Sequence, residues 1–288
     1  MDQTLNSEAE FLFQQGLRYG DAKDYTAAIA TYDRVLAIKP NFHQAWYNRG
    51  VALLNQGRYQ EALTSFDYAL TIKSNLEQIW YDRGRVLDQL GRLKDAIASY
   101  GKATEIKPNF YQAWLNRGVA LKYLGRLDEV VTNYDRVLLI KPDFYIAWYN
   151  RGVALENLKR YEEALDSYDK TLEFKPDDVD AWYHRGCTLQ NLGRFEEAIS
   201  CFNQTLEFVP DNGSAFFSKA CCYALQDDVI QAVDNLQRAI ELSPNKYRDL
   251  AKTHSDFDKI RSDEQFQTLI QHNQDTGQAQ KTYGIKNA

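Results

Sequence analysis

The chain has few of the residues on which enzyme chemistry is usually built. Its 288 residues include four histidines and four cysteines. His43, His184, His254 and His272 contain no pair at the one-turn spacing of a helical metal site. The cysteines stand at 187, 201, 221 and 222, late in the chain, which is unlike a disulfide framework and reads as reduced thiols. No G-x-x-x-x-G-K phosphate loop, no dinucleotide-type glycine pattern and no G-x-S-x-G nucleophile turn occurs. Carboxylate pairs such as Glu162 with Glu163 and Glu196 with Glu197 are better explained by a solvated helix face than by acid–base work. These absences point to a protein that is not an enzyme and needs no cofactor or metal.

Positive charge is not in excess. The formal net charge is −6, so no overall field draws the chain toward phosphate backbones or anionic lipid, and nucleic acid is not an expected partner. No apolar run approaches the roughly 20 residues needed to span a bilayer. The segment Met1 to Phe13 carries Asp2, Glu8 and Glu10 and lacks the basic start of a secretory signal. A soluble, cytoplasmic protein with no membrane partner is therefore expected. Proline is scarce, at six, while 44% of residues are apolar and 13% aromatic, which excludes disorder and supplies a core.

What is present keeps a period. The five tryptophans are Trp46, Trp80, Trp114, Trp148 and Trp182, each 34 residues from the next. All six prolines, Pro40, Pro108, Pro142, Pro176, Pro210 and Pro244, share a second phase of the same period, with Ser74 in the one gap. Glycines follow at 16, 50, 84, 118, 152 and 186, and alanines at 28, 62, 96, 164, 198 and 232, with Val130 as the exception. Two rare residue types on one clock mark a repeat array. Within His43 to Leu76, apolar residues fall at helical spacing in two sets, with Gly57 between them where a left-handed residue ends a first helix. Each repeat is predicted to be a helical hairpin that proline closes, with the following Asn or Asp available to cap the next helix.

These residues resemble the tetratricopeptide repeat family, whose pattern is a Trp, a Gly four residues on, an Ala, an aromatic and a closing Pro. Over residues 145–178 those positions are Trp148, Gly152, Ala164, Tyr168 and Pro176. The resemblance implies an all-α, right-handed superhelical solenoid of antiparallel hairpins. Seven repeats are expected over 9–246, after a lead-in at 1–8. A C-terminal capping segment should span 247–271, where apolar residues continue from Tyr247 to Ile270, and a flexible polar tail 272–288. The Trp, Gly and Ala positions are read as packing, with the tryptophans buried.

In the family the first helices line a concave face, so the resemblance places two rows of residues in a groove. One row holds Phe13, Tyr47, Tyr81, Leu115, Tyr149, Tyr183 and Phe217. The other holds Gln14, Asn48, Asp82, Asn116, Asn150, His184 and Ser218. Asparagines offer donor and acceptor to the amides of an extended peptide, and tyrosines add apolar area with a polar tip. Asp82 and His184 interrupt the ladder and suit selection of a particular side chain. The plain alternative is half-buried tyrosines and solvated amides in an empty groove. The family's carboxylate clamp for chaperone tails is not matched. Its first Lys position holds Tyr47, Tyr81 or Leu115, and its paired Asn position holds Val51, Arg85 or Val119.

The leading expectation is a scaffold, adaptor or assembly factor that binds an extended segment of a client protein. Its rival is a structural module that associates through its convex face or ends. Two smaller expectations remain. His184, Cys187 and Cys221 could share a groove wall as a thiol or metal cluster, although no fourth ligand is evident and small thiols are ordinarily core. Where the family commonly has a packing leucine, Arg49, Arg83, Arg117, Arg151 and Arg185 stand three residues after each Trp. Asp33, Asp67, Asp135 and Asp169 precede four of them by sixteen residues, with Gly101 before Arg117, which predicts ion pairs between successive repeats.

Overall fold

The computed structural model describes residues 2–271, in which every regular element is a helix. Two compact bodies are formed. The first, ending at Arg160, holds α1 (Asp2–Asp21), α2 (Tyr25–Ile38), α3 (His43–Asn55), α4 (Tyr59–Ile72), α5 (Glu77–Gln89), α6 (Leu93–Ile106), α7 (Tyr111–Tyr123), α8 (Leu127–Ile140) and α9 (Tyr145–Asn157). The second, starting at Tyr161, holds α10 (Tyr161–Phe174), α11 (Val179–Asn191), α12 (Phe195–Phe208), α13 (Gly213–Leu225) and α14 (Val229–Leu242). It closes with α15 (Pro244–Thr253), a 3₁₀ turn over Ser255–Ile260 and α16 (Glu264–Gln271). Consecutive helices pack as hairpins, α1 on α2 through α7 on α8 in the first body, α11 on α12 and α13 on α14 in the second.

Glycine makes the tight turns of these hairpins. Gly57, Gly91, Gly125 and Gly193 have φ between +70° and +74°, which a residue without Cβ adopts freely. Closer still is the approach of the two helices of a hairpin. A Cβ placed on Gly16, Gly50, Gly84 or Gly186 would stand 2.5–2.6 Å from the ring of Tyr32, Phe66, Tyr100 or Phe202 on the second helix. Those rings are buried. Thus the rings that fill the core are the second-helix aromatics, and the tryptophans differ from expectation. Each of the five is only half-buried, and its indole N–H donates to a carbonyl six residues back: Pro40, Ser74, Pro108, Pro142 and Pro176, at 2.8–2.9 Å. Tryptophan therefore fastens the linker between repeats, because its polar N–H needs a partner and the linker carbonyl has lost its helical one.

Capping also departs from expectation. The Asn or Asp directly after proline does not cap. The N-cap is one residue later, and only Asp178 and Asn212 cap there with a side chain, accepting from the amides of Ala181 and Ala215. In the first body Phe42, Phe110 and Phe144 occupy that position, and Phe42 and Phe110 are buried. Apolar burial outweighs the cap there, since burying a Phe is worth about 1.5–3 kcal/mol against about 1 for a capping bond.

At the start, α1 reaches back to Asp2, into the expected lead-in. Near the end, Pro244 sits in the first turn of α15, where its missing N–H costs nothing, so the cap begins a little before residue 247. Phe257 and Phe266 are fully buried and pack 5.3 Å apart, with Phe257 5.6 Å from Phe217 of α13. The tail expected over 272–288 lies outside the described residues.

Candidate peptide-binding face

The arginine and aspartate rows meet as ion pairs. Arg49 Nε lies 2.7 Å from Asp33, Arg83 from Asp67, Arg151 from Asp135 and Arg185 from Asp169. Each joins the second helix of one repeat to the first helix of the next. The guanidinium reaches further, donating to Ser65 from Arg49, to Ser99 from Arg83 and to the Cys201 thiol from Arg185. It also lies over its own tryptophan, at 5.7–5.9 Å for Arg49, Arg83, Arg117 and Arg151. Arg117, facing Gly101, has a buried Nε with no hydrogen-bond partner.

First helices of successive repeats touch directly, α1 with α3, α3 with α5 and α5 with α7 in the first body, α11 with α13 in the second. Across these contacts the two rows bond to each other. Tyr47 donates to Asp82 at 3.0 Å, the Asn116 amide donates to the Tyr81 hydroxyl at 3.2 Å, and the Tyr183 and Ser218 hydroxyls meet at 3.4 Å. Burial pushes the phenols of Tyr47, Tyr81 and Tyr183 up, so all three stay neutral donors at ordinary pH.

The predicted site residues separate into kinds. Tyr47, Asn48, Tyr81, Asn116, Tyr149, Asn150, Tyr183 and His184 are all half-buried, so each retains some solvent contact. Asp82 is 3% exposed and accepts from Tyr47, Gln78 and Arg85. It ties α3 to α5. Asn48 and Asn150 spend an amide N–H on the backbone carbonyls of Gln44 and Ile146. His184 stacks on Tyr168 and meets the edge of Tyr183. Cys221 Sγ lies 4.0 Å from Nδ1 of His254. Among the described residues, the thiol, imidazole and carboxylate groups close enough to share an ion are Cys221, His254 and Asp256.

Repeat-family models match the chain along most of its length. Tetratricopeptide repeat models cover 13–77, 111–144, 145–178 and 179–212, and a TPR repeat model covers 84–125. The chain belongs to the tetratricopeptide repeat family.

Solved members share the fold at low identity. The C-terminal part of a TPR repeat-containing protein from Cytophaga hutchinsonii is 18% identical, with a TM-score of 0.69 over 82% of this chain and 98% of that one. YrrB, described as a TPR protein with an unusual peptide-binding site, is 23% identical, with a TM-score of 0.57 over 62% of this chain and 93% of that one. MamA is 21% identical, with a TM-score of 0.57 over 59% and 93%. A curated relative, an uncharacterized protein of Methanocaldococcus jannaschii, is 29% identical over 59 residues, 20% of this chain and 67% of that one. Among the described residues no helix is long and apolar enough to cross a membrane.

One feature of this TPR protein's first-helix face was not read from the sequence. A pocket of about 170 Å³ is lined by Arg85, Asp88 and Gln89 of α5, Tyr100 of α6, and Asn116 and Val119 of α7. Asp88 accepts from the Tyr100 hydroxyl, while its second oxygen is buried with no partner. Burial raises its carboxyl pKa. The repeat pattern does not single Asp88 out, because the equivalent positions include Leu54, Lys122, Glu156 and Gln190 and most of these are polar.

Proposed function

We propose that this protein is a scaffold that holds an extended segment of a client polypeptide along the first-helix face. The supporting observation is the polar pocket lined by Asn116, which brings charged and amide groups together beside a member of the second row. A peptide laid along α3, α5, α7 and α9 would meet the amides of Asn48, Asn116 and Asn150 with its backbone and the pocket with one side chain. Asp88, with an oxygen unsatisfied, favours a hydrogen-bond donor there. The tyrosines, fixed by their bonds to neighbouring first helices, are already ordered and lose little entropy on binding. YrrB, alike in fold, is a peptide-binding TPR protein, which supports this ligand class. The large exposed apolar residues Phe11, Tyr123, Leu139 and Ile230 stand on four different helices, which favours the groove over association through another surface. Four free thiols suit a reducing, cytoplasmic setting.

The test is a screen of immobilised unstructured peptides followed by affinity measurement on the best ligand. Substituting Asn116 and Asn150 together by Ala should weaken it about tenfold or more, at about 1 kcal/mol for each lost hydrogen bond to the peptide, with the helical circular dichroism spectrum retained and the melting temperature lowered only by the loss of the Asn116–Tyr81 bond. Unaltered affinity in this variant, or loss caused instead by Leu139→Glu on α8, would refute the groove.

A further inference from the structure

The C-terminal cap meets α13 through a set of donors that the repeat pattern does not explain. Cys221 is a first-helix residue of α13, 2% exposed. Its Sγ lies 4.0 Å from Nδ1 of His254, and the same Nδ1 lies 3.6 Å from Oδ2 of Asp256. One donor atom from each residue falls within 4.8 Å of the other two. The chain geometry that achieves this is local. His254 ends α15 in an extended conformation and Asp256 opens the 3₁₀ turn, which packs on α13, so both side chains come back to one thiol. Gln190 of α11 donates to Asp256 Oδ2 at 2.9 Å, holding in place the oxygen that faces His254.

A thiol, an imidazole and a carboxylate can form a catalytic relay, but this arrangement is not one. In a relay the carboxylate and the nucleophile occupy opposite nitrogens of the ring, whereas here both face Nδ1. What three such atoms around one point do fit is a metal ion. Tetrahedral zinc, with bonds of about 2.3 Å to sulfur and about 2.0–2.2 Å to nitrogen and oxygen, sets neighbouring ligands roughly 3.3–3.6 Å apart. The two separations from His254, 3.6 and 4.0 Å, need a closure of only a few tenths of an ångström, and the third pair stands within 4.8 Å.

We propose that Cys221, His254 and Asp256 bind one divalent transition ion of the zinc class, fastening the C-terminal cap to α13. Thiolate, imidazole and carboxylate together select a borderline ion over magnesium or calcium. Three protein donors leave a fourth tetrahedral position. The His254 and Asp256 side chains are 39% and 21% exposed, so water can reach that position and complete the shell. Gln190 then has the role of an outer partner that orients a ligating carboxylate. Binding displaces the thiol proton to solvent, so the ion replaces a buried neutral S–H by a paired thiolate.

The experiment uses the full chain without a histidine tag, stripped with chelator and titrated with Co²⁺ as a spectroscopic probe and then with Zn²⁺. Expected are a thiolate-to-cobalt charge-transfer band, the intense visible bands of tetrahedral Co²⁺, and one zinc retained per chain after dialysis. Zinc should raise the melting temperature of the unsubstituted chain. Cys221→Ser and His254→Gln should each lose the charge-transfer band or the retained zinc while keeping the helical circular dichroism spectrum. Cys187→Ser, a neighbouring thiol, should keep both. Absence of the band in the unsubstituted chain would leave only a His254–Asp256 contact and overturn the proposal, as would full zinc retention by the Cys221→Ser and His254→Gln variants. A misfolded Cys221→Ser would leave His254→Gln, altered at a part-exposed side chain, to decide.

Discussion

At the scale of single residues, glycine does opposite things at two kinds of position. Gly84 is the contact point for the Tyr100 ring, and a Cβ there would stand 2.5 Å from it. At Gly118 the corresponding distance to the Tyr134 ring is 3.4 Å. Both lie inside helices, where Ala gains about 1 kcal/mol over Gly in propensity. Gly84→Ala should therefore lower stability by about 1–3 kcal/mol from overpacking, while Gly118→Ala should be near neutral or stabilising; urea denaturation distinguishes them. Gly101 is different again. Its Cβ would meet nothing within 4 Å, and it replaces the aspartate that pairs with arginine in the other repeats. Gly101→Asp should give Arg117 its missing partner and stabilise by about 1 kcal/mol, part from helix propensity and part from the ion pair. Gly101→Ala separates the two parts, and an aspartate gain no larger than the alanine gain would show that no pair forms. The contribution is modest because the aspartates of the four existing pairs are about half exposed, at 50–54%.

At the scale of an element, the linker between repeats is the sensitive part. After Lys39, Lys107, Lys141, Lys175 and Val209 the chain makes a turn closed by a bond from the amide three residues on. Ser74 stands where the other linkers have proline, and no such bond closes that turn. Lys73 before it is extended, with φ −145° and ψ 99°, the region that a following proline requires. Ser74→Pro should accordingly stabilise by about 0.4–1 kcal/mol by restricting the unfolded chain, read as a rise in melting temperature. The Trp80 indole, which donates to the carbonyl of residue 74, keeps its acceptor in this variant. A fall in stability would mean that the serine linker holds a conformation proline cannot take.

At the scale of the molecule, repeat stacking makes each body a chain of nearest-neighbour interfaces, so its end needs a cover. In the second body that cover is α15, the 3₁₀ turn and α16, whose Tyr247, Phe257, Ile260, Phe266 and Ile270 are buried in one cluster with α13 and α14. Phe257→Ala should cost about 3–5 kcal/mol locally. Because coupling runs between neighbours, amide exchange should quicken in α13 and α14 and leave α3 to α6 unchanged. Uniform quickening along the chain would instead show all-or-none unfolding.

Much of this was legible because a repeat supplies two rulers. Helical spacing relates residues three and four apart, and the 34-residue period relates equivalent positions in neighbouring repeats. The hairpins, the glycine turns and the pairing of Asp33, Asp67, Asp135 and Asp169 with arginines sixteen residues on all follow from those rulers, since stacking places like positions side by side. Burial was less legible. Asp82 looks like a groove residue by phase, yet three donors converge on it and close it from solvent. Tryptophan looks like core by type, yet the smaller aromatics on the second helices hold the core because the glycines leave room only there. The Cys221, His254 and Asp256 cluster lay beyond both rulers. Its members come from the last first helix and from the cap, where the period has stopped, so only the packing of the 3₁₀ turn on α13 brings them together.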